Sequence, residues 1–291
     1  MVSRTALFLL ILLIATIGGL NPILAKIVLK EIPPLSFNFF RFLFAALSFT
    51  PIFIKEGSYQ KIKDKSLFLL TLLAIVNMIL FAFGVQLTSA TSSQILYNLT
   101  PLLAAIFGFI IFKDELSLIK SLGVGLGLLG AILVILKPDA GLNLGDTLRG
   151  EIIIFIAVVF FSTYTGLSQH FHKRYSSKQL TFALILYSVI TFFFLAFFDL
   201  IQNPFWWKGV SLKAILIMIY MGALGTTIYY FFYQYLIKRA GAVTAASVIY
   251  LQPLITYFFA SIILGEKLSM GMFVGGILVL LGVWLTTSNK K

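Results

Sequence analysis

The chain has 291 residues, of which 60% are apolar and only 11% charged. A soluble globular chain is nearer a quarter charged, so this composition leaves no soluble domain of useful size and places the polypeptide in a bilayer. There is no cysteine, which removes disulfides, thiol chemistry and cysteine metal sites. The formal charge of +12 invites a nucleic-acid reading. The basic residues instead sit in short segments between apolar runs, where they set orientation, so no nucleic-acid partner is expected.

A membrane helix needs about 20 mostly apolar residues. Ten stretches qualify, at 5–29, 35–55, 67–87, 91–112, 117–136, 152–172, 179–200, 212–236, 243–264 and 269–287. The first follows Met1 to Arg4 and has the look of a secretion signal. It continues to about Ala25 with no convincing cleavage site, so it is read as a first span. The gaps are short. The longest, 137–151, holds Lys137, Pro138, Asp139, Gly141, Asn143, Gly145 and Asp146, which is turn chemistry. It is expected to link a first unit, 1–136, to a second, 152–291.

The two units are copies. The stretch Leu99 to Ala131 returns without a gap as Leu251 to Val283, with about a third of the positions identical. Leucine matches carry little information. Pro101 with Pro253, Ser117 with Ser269, Gly123 with Gly275 and Gly130 with Gly282 carry more, as does Asp114 against Glu266 ahead of a Leu-Ser pair. Internal repeats fix architecture. Weaker matches are Ser36-Phe37 with Thr181-Phe182, and Ser89-Ala90 with Gly241-Ala242.

Lys and Arg give the orientation. With a cytoplasmic N-terminus, the inner segments carry Arg4, Lys55, Lys61, Lys63, Lys65, Lys113, Lys120, Lys173, Arg174, Lys178, Lys238, Arg239, Lys290 and Lys291. The outer ones carry Lys26, Lys30, Lys137, Arg149, Lys208, Lys213 and Lys267. This roughly twofold bias predicts a multi-pass protein of the cell membrane with both termini cytoplasmic. Five spans per half then make the halves inverted copies. Inverted repeats are a signature of secondary transporters, whose substrates sit near the midplane at the repeat interface.

The ten spans as five plus five, Asn21-Pro22 in span 1, Arg41 early in span 2, and two helix pairs of the form P-L…[DE]-x-L-S…G…G together resemble the EamA family of the drug/metabolite transporter superfamily. The resemblance covers essentially the whole chain, and the repeated helix pair is its most specific part. It implies an all-α membrane protein of ten transmembrane helices in two inverted five-helix repeats. It also implies a carrier, often an exporter, of amino acids, metabolites or drugs; related families carry nucleotide sugars or lipid-linked sugars. The family often bears a tryptophan where this chain has Gly18-Gly19.

Polar groups at membrane depth must face the protein interior or water, which makes them the best functional pointers. All ten acids fall at span ends or in loops, so no buried carboxylate is offered for proton coupling. Asp114 and Glu266 are expected to close hairpins or sit at helix N-termini, where negative charge is favoured. Arg41 lies roughly 10 Å into span 2. With Lys26 it forms a paired cationic site for a carboxylate or phosphate, or both snorkel to the outer interface. Pro22 breaks span 1 as a hinge with Asn21 as a substrate contact, or it is an ordinary kink. Tyr97, Asn98 and Thr100 precede Pro101 as Tyr250 and Gln252 precede Pro253. Tyr97, Asn98, Tyr250 and Gln252 are read as cavity wall, with interhelical bonding as the alternative. Pro101 and Pro253 are read as further hinges.

Span 8 adds Thr226, Thr227, Tyr229, Tyr230, Tyr233 and Gln234; span 6 adds Ser162, Tyr164, Thr165 and Ser168; span 3 offers Asn77 and Gln86. Tyr164 and Tyr229 are the preferred cavity members. Gly123, Gly127 and Gly130, with Gly271, Gly275 and Gly282, allow close helix contact, within a half or in a homodimer through the glycine-rich helices. His170 and His172 point to different helix faces and are assigned to the cytoplasmic interface. No nucleophile-base-acid set, phosphate loop or metal cluster is present, so neither catalysis nor a cofactor or metal is expected. The expectation is a carrier of a small-molecule substrate. A lipid-linked sugar flippase, which needs a lateral opening, and a non-transporting scaffold, which needs no polar cavity, are the alternatives.

Overall fold

A computed structural model describes residues 4–54, 64–112, 118–136, 144–242, 245 and 247–288. Asp114 and Ser117, and residues 137–143 of the expected linker, lie outside the described residues. The helices are α1 (Arg4–Val28), α2 (Pro34–Ile54), α3 (Lys65–Leu87), α4 (Ala90–Tyr97), α5 (Thr100–Phe112), α6 (Leu118–Leu136), α7 (Leu144–Phe171) and α8 (Ser177–Gln202). They continue as α9 (Leu212–Tyr220), a π-helical segment (Met221–Ile228), α10 (Tyr229–Ala240), a 3-10 turn (Ser247–Leu251), α11 (Gln252–Ile263) and α12 (Met270–Ser288). Among the described residues there is no strand.

Among the described residues, five stretches are long and apolar enough to cross a bilayer: Leu10–Val28, Lys65–Leu87, Gly145–Phe171, Ser177–Gln202 and Leu212–Arg239. Shorter apolar pieces, Leu122–Leu136, Ile249–Ile263 and Met270–Leu285, accompany them. Large apolar side chains such as Leu47, Phe194, Ile201, Leu254 and Trp284 point outward, more than half exposed, as expected of a surface solvated by lipid tails. Helix starts are set locally. Asp64, Ser89 and Ser211 cap α3, α4 and α9, and Ser176 with Gln179 forms a full capping box on α8.

The two halves are related by a twofold axis that the contacts reveal. α2 meets its own copy α8 antiparallel: Ser36 pairs with Asp199 at one end, Phe42 with Phe192 further in, and Phe53 with Phe182 at the other end. α6 meets its copy α12 antiparallel too, Gly130 against Gly275 and Gly127 against Gly282. Equivalent helices that meet antiparallel on a twofold axis must run in opposite directions, so the halves are inverted. The contacts of α1 with α11 are matched by those of α7 with α4 and α5. In the register that lays Ser36-Phe37 on Thr181-Phe182, Leu186 takes the place of Arg41.

The glycines of α6 and α12 face each other inside one chain. A Cβ at Gly130 would come within 2.6 Å of the Gly275 carbonyl oxygen, and one at Gly275 within 2.6 Å of the Gly130 oxygen. Backbone touches backbone there, which side chains would forbid.

Spans 4 and 9 are broken where the sequence places the repeated prolines. α4 stops at Tyr97 and α5 restarts at Thr100 with Pro101 in its first turn; α11 starts at Gln252 with Pro253. Proline is tolerated there because the first-turn N–H groups have no helical partner. Span 1 differs from its expectation: α1 runs unbroken through Pro22. The carbonyl of Gly19, one turn earlier, accepts from Thr256 Oγ1 at 2.7 Å, so the second half supplies a donor where proline weakens the ladder. The sixth span starts at Leu144, inside the stretch read as linker. Asp146 and Arg149 lower the hydropathy there without breaking the helix, because an acid in the first turn suits the helix dipole.

Candidate functional site

On the seam between the halves lies a cavity of about 70 Å³. The first half contributes Gly18, Asn21, Pro22, Arg41, Asn77, Met78, Phe81, Gln94 and Tyr97; the second contributes Phe161, Tyr229, Tyr230, Ile249 and Gln252. Gly18, Asn21, Arg41 and Asn77 lie inside their helices, whereas Tyr97, Ile249 and Gln252 lie at the breaks of spans 4 and 9.

The π-helical segment shapes one wall. A wide turn shifts backbone pairing to the fifth residue. Thr226 Oγ1 donates to the Met221 carbonyl at 2.9 Å and Thr227 Oγ1 to that of Gly222 at 3.2 Å, each five residues back. Such threonine hydroxyls compete for helix carbonyls. The Gly225 carbonyl turns to the seam, where Asn21 Nδ2 donates to it at 3.3 Å and Arg41 Nη2 at 3.5 Å. Arg41 Nε donates to Thr226 Oγ1 at 2.7 Å. A Cβ at Gly222 would come within 2.8 Å of the Arg41 carbonyl, so glycine there lets α2 approach.

An amide pair crosses the seam on another wall. Gln94 Nε2 donates to Gln252 Oε1 at 2.8 Å, and Gln252 Nε2 to the Tyr229 hydroxyl at 3.4 Å. A side chain at Gly18 would occupy the place of the Gln252 amide. Asn77 Nδ2 donates to the Tyr97 hydroxyl at 2.6 Å and to the Ala157 carbonyl at 2.8 Å, fixing the Tyr97 ring.

Of the residues the sequence singles out, Asn21, Pro22, Arg41, Tyr97, Tyr229 and Gln252 line the cavity. Asn98, Tyr164 and Tyr250 do not. Asn98 is buried beside the α4–α5 break, its Oδ1 without a hydrogen-bond partner among the described residues. Tyr164 accepts from Gln234 Nε2 at 2.7 Å in the core between α7 and α10. Tyr250 packs against the apolar cluster around Leu99 and Leu102. Pro101 and Pro253 begin helices behind the cavity wall. Lys26 does not join Arg41. Its Nζ donates to the Thr88 carbonyl and lies 3.8 Å from Glu266 Oε1. The sequence reading did not single out Gln94, Phe81 or Phe161. Gln94 stands three residues before Tyr97, on the same helix face, and that spacing is the signal for it.

One end of the seam is held by four carboxylates, each bonded to the opposite half. Glu266 accepts from the N–H groups of Ala90 and Thr91 at 2.7 and 3.0 Å, and from Thr91 Oγ1 at 2.8 Å. The turn ahead of it places Gly265 at φ +69°, a left-handed conformation that favours glycine. Asp199 accepts from Ser36 N at 2.6 Å. Glu31 accepts from Ser211 N at 2.7 Å and from its hydroxyl at 3.0 Å. Glu151 accepts from Ser92 Oγ at 2.5 Å and Thr88 Oγ1 at 3.2 Å. Three of these acids sit at helix N-termini, where backbone N–H groups and the dipole favour negative charge. At the other end, among the described residues, one bond between acid and hydroxyl joins the halves, from Tyr175 to Asp64. Tyr175 and Ser66 hold the Asp64 carboxyl down at about 2. Nearby His172 bonds Gln234 at 3.0 Å, and burial lowers its basicity.

The sequence model of the EamA-like transporter family matches residues 5–136 and 148–288. An uncharacterized transporter of Archaeoglobus fulgidus is 29% identical over 99% of both chains. An uncharacterized transporter of Clostridium kluyveri is 26% identical over 86% of this chain and 82% of its own. The uncharacterized transporter YoaV of Bacillus subtilis is 21% identical over 95% of both. A solved crystal structure shares the fold over 98% of both chains, with a TM-score of 0.70 at 15% identity.

Proposed function

The chain belongs to the EamA-like transporter family, and on that premise we propose that it is a secondary carrier of the cell membrane. It moves a small polar or amphipathic metabolite, such as an amino acid, by alternating access, as an exporter or exchanger. The observation that carries the reading is the polar cavity on the seam, lined from both inverted halves. Secondary carriers place their substrate sites there. A scaffold has no use for such a cavity, because polar groups at membrane depth cost free energy.

The carboxylate end gives further support. Alternating access needs one end of the seam closed by contacts that can be made and broken, and the hydrogen bonds that four acids accept across the seam meet that need. By the Lys and Arg distribution, both termini are cytoplasmic and this end faces outside. Asn21, Arg41, Gln94, Tyr97, Tyr229 and Gln252 contact the cargo. The breaks ahead of Pro101 and Pro253 flex as the halves rock, while Pro22 keeps a carbonyl of α1 bound to α11. No catalytic step or cofactor enters the reading.

The test is counterflow and uptake in proteoliposomes against a panel of labelled metabolites, with and without a pH gradient. Saturable flux of one or more panel members, lost on Gln252→Ala, is expected. Liposomes that move no member above protein-free controls would overturn the reading.

A further inference from the structure

Arg41 is only 5% exposed. Its guanidinium has five N–H donors. One reaches Thr226 Oγ1 and one the Gly225 carbonyl, both neutral acceptors, and no acceptor among the described residues meets Nη1. Lys26 pairs with Glu266 and Arg149 with Asp146; among the described residues Arg41 has no such partner. Glu31, Glu151, Asp199 and Glu266 are bound to N–H and hydroxyl donors at the closed end. Lys26 is held there with them. The described lining therefore contains one cation and no carboxylate.

A buried charge without a counter-charge is costly, yet the π-helical segment is built to hold this one in place. The rest of the lining offers the rings of Tyr97, Phe161 and Tyr229 and the amides of Gln94 and Gln252. Arginine suits planar oxyanions, which it grips through two N–H groups at once. We infer that the cargo bears an oxyanion, a carboxylate or a phosphate ester on an aromatic or amphipathic body, and that Arg41 binds it. An ammonium group finds no acid in the lining, so a deaminated acid binds more tightly than the matching amino acid. This inference rests on the carrier reading and names its substrate class. The oxyanion comes from a free metabolite or from a lipid phosphate.

The experiment is equilibrium binding to the purified chain in nanodiscs. The probes are 3-phenylpropanoate, 3-phenylpropanamide, phenylalanine, 2-phenylethylamine, phenyl phosphate and a short-chain phosphatidic acid. The expected order puts the free anions about tenfold ahead of the amide and the amine, with phenylalanine between. Arg41→Gln is expected to cut anion binding about tenfold and leave the amide unchanged, and Arg41→Lys to keep part of it. Binding of phosphatidic acid alone, dependent on Arg41, supports the oxyanion and assigns it to a lipid. An amide or amine that binds the wild-type chain as tightly as the acid overturns the inference, as does unchanged anion binding in Arg41→Gln or no binding of any probe. The wild-type ranking needs no variant to fold, and size-exclusion elution with circular dichroism checks the two variants. Proteoliposome flux separates the two readings. Arg41-dependent binding without flux sinks the carrier alone, and Arg41-independent flux of neutral cargo sinks the oxyanion alone.

Discussion

Gln94 and Gln252 join the halves of the molecule through one amide–amide hydrogen bond of 2.8 Å at the cavity wall. Both side chains are at most 5% exposed. Truncating one leaves the other with an unmet polar group, at about 1–3 kcal/mol. Gln94→Leu and Gln252→Leu are each expected to lower the melting temperature of the purified chain. The double variant should fall no further than the worse single, because the pair acts as a unit. Additive losses in a double-mutant cycle would show that the two amides work separately.

The α6–α12 contact makes a sharper claim. Gly130→Val sets a branched side chain against the Gly275 backbone and is expected to cost about 3 kcal/mol or more. Gly125, on the same helix, has nothing within 4 Å of its Cβ position. Gly125→Ala should be neutral or slightly stabilising, since alanine is the better helix former. Thermal unfolding of both variants in one detergent checks the contrast.

The bond from Tyr175 to Asp64, at the end opposite the four carboxylates, gives a pH signature. The folded Asp64 carboxyl is held at about 2, first by the Tyr175 hydroxyl and then by Ser66, against about 4 in an unfolded chain. A lowered folded value means the stabilisation is present in full above about 4 and is lost as the pH falls towards about 2. Tyr175→Phe removes the largest cause. It should lower the melting temperature at neutral pH and shrink the acid loss between about pH 4 and 2, because the folded and unfolded values of Asp64 then lie closer together. An unchanged acid profile in Tyr175→Phe would count against the bond.

Because the chain has no cysteine, one reporter thiol can follow the carboxylate end. Glu266→Ala removes the acceptor for two backbone N–H groups of α4 and the partner of Lys26. It should open that end more often. In a Phe81→Cys background, labelling by an impermeant maleimide from that side should speed up about tenfold, as expected for a shift near 1.4 kcal/mol. Equal rates with and without Glu266 would show that the acid does not hold the seam.

The spans were legible because hydropathy is local and the repeated prolines mark helix starts. Inversion was legible because it follows from an odd number of spans per half. The start of α7 was not, since Asp146, Arg149 and Glu151 look like a loop until Glu151 is seen bound to Ser92 and Thr88. Depth along that helix shifted with it, and Phe161 rather than Tyr164 lines the cavity. Asn98 drew attention for its polarity. Tyr97 and Gln94, three residues apart, share the face that reaches Gln252, and that spacing marks Gln94 once Tyr97 is taken as the anchor of the face. The pairing of Arg41 with Lys26 failed for a distant reason. Gly265 swings Glu266 across the seam to Lys26, a contact 240 positions away in sequence.

A twofold frame by itself would treat the two sides of the bilayer alike. Arg41 departs from that equality. Leu186 stands in its equivalent place, and Arg41 sits roughly 10 Å from the sealed side, early in α2. On the carrier reading proposed above, a ligand held by Arg41 has a short path to one exit and a longer path to the other. Loading and unloading then follow unequal energy profiles, a lopsidedness written into a single side chain rather than into the scaffold.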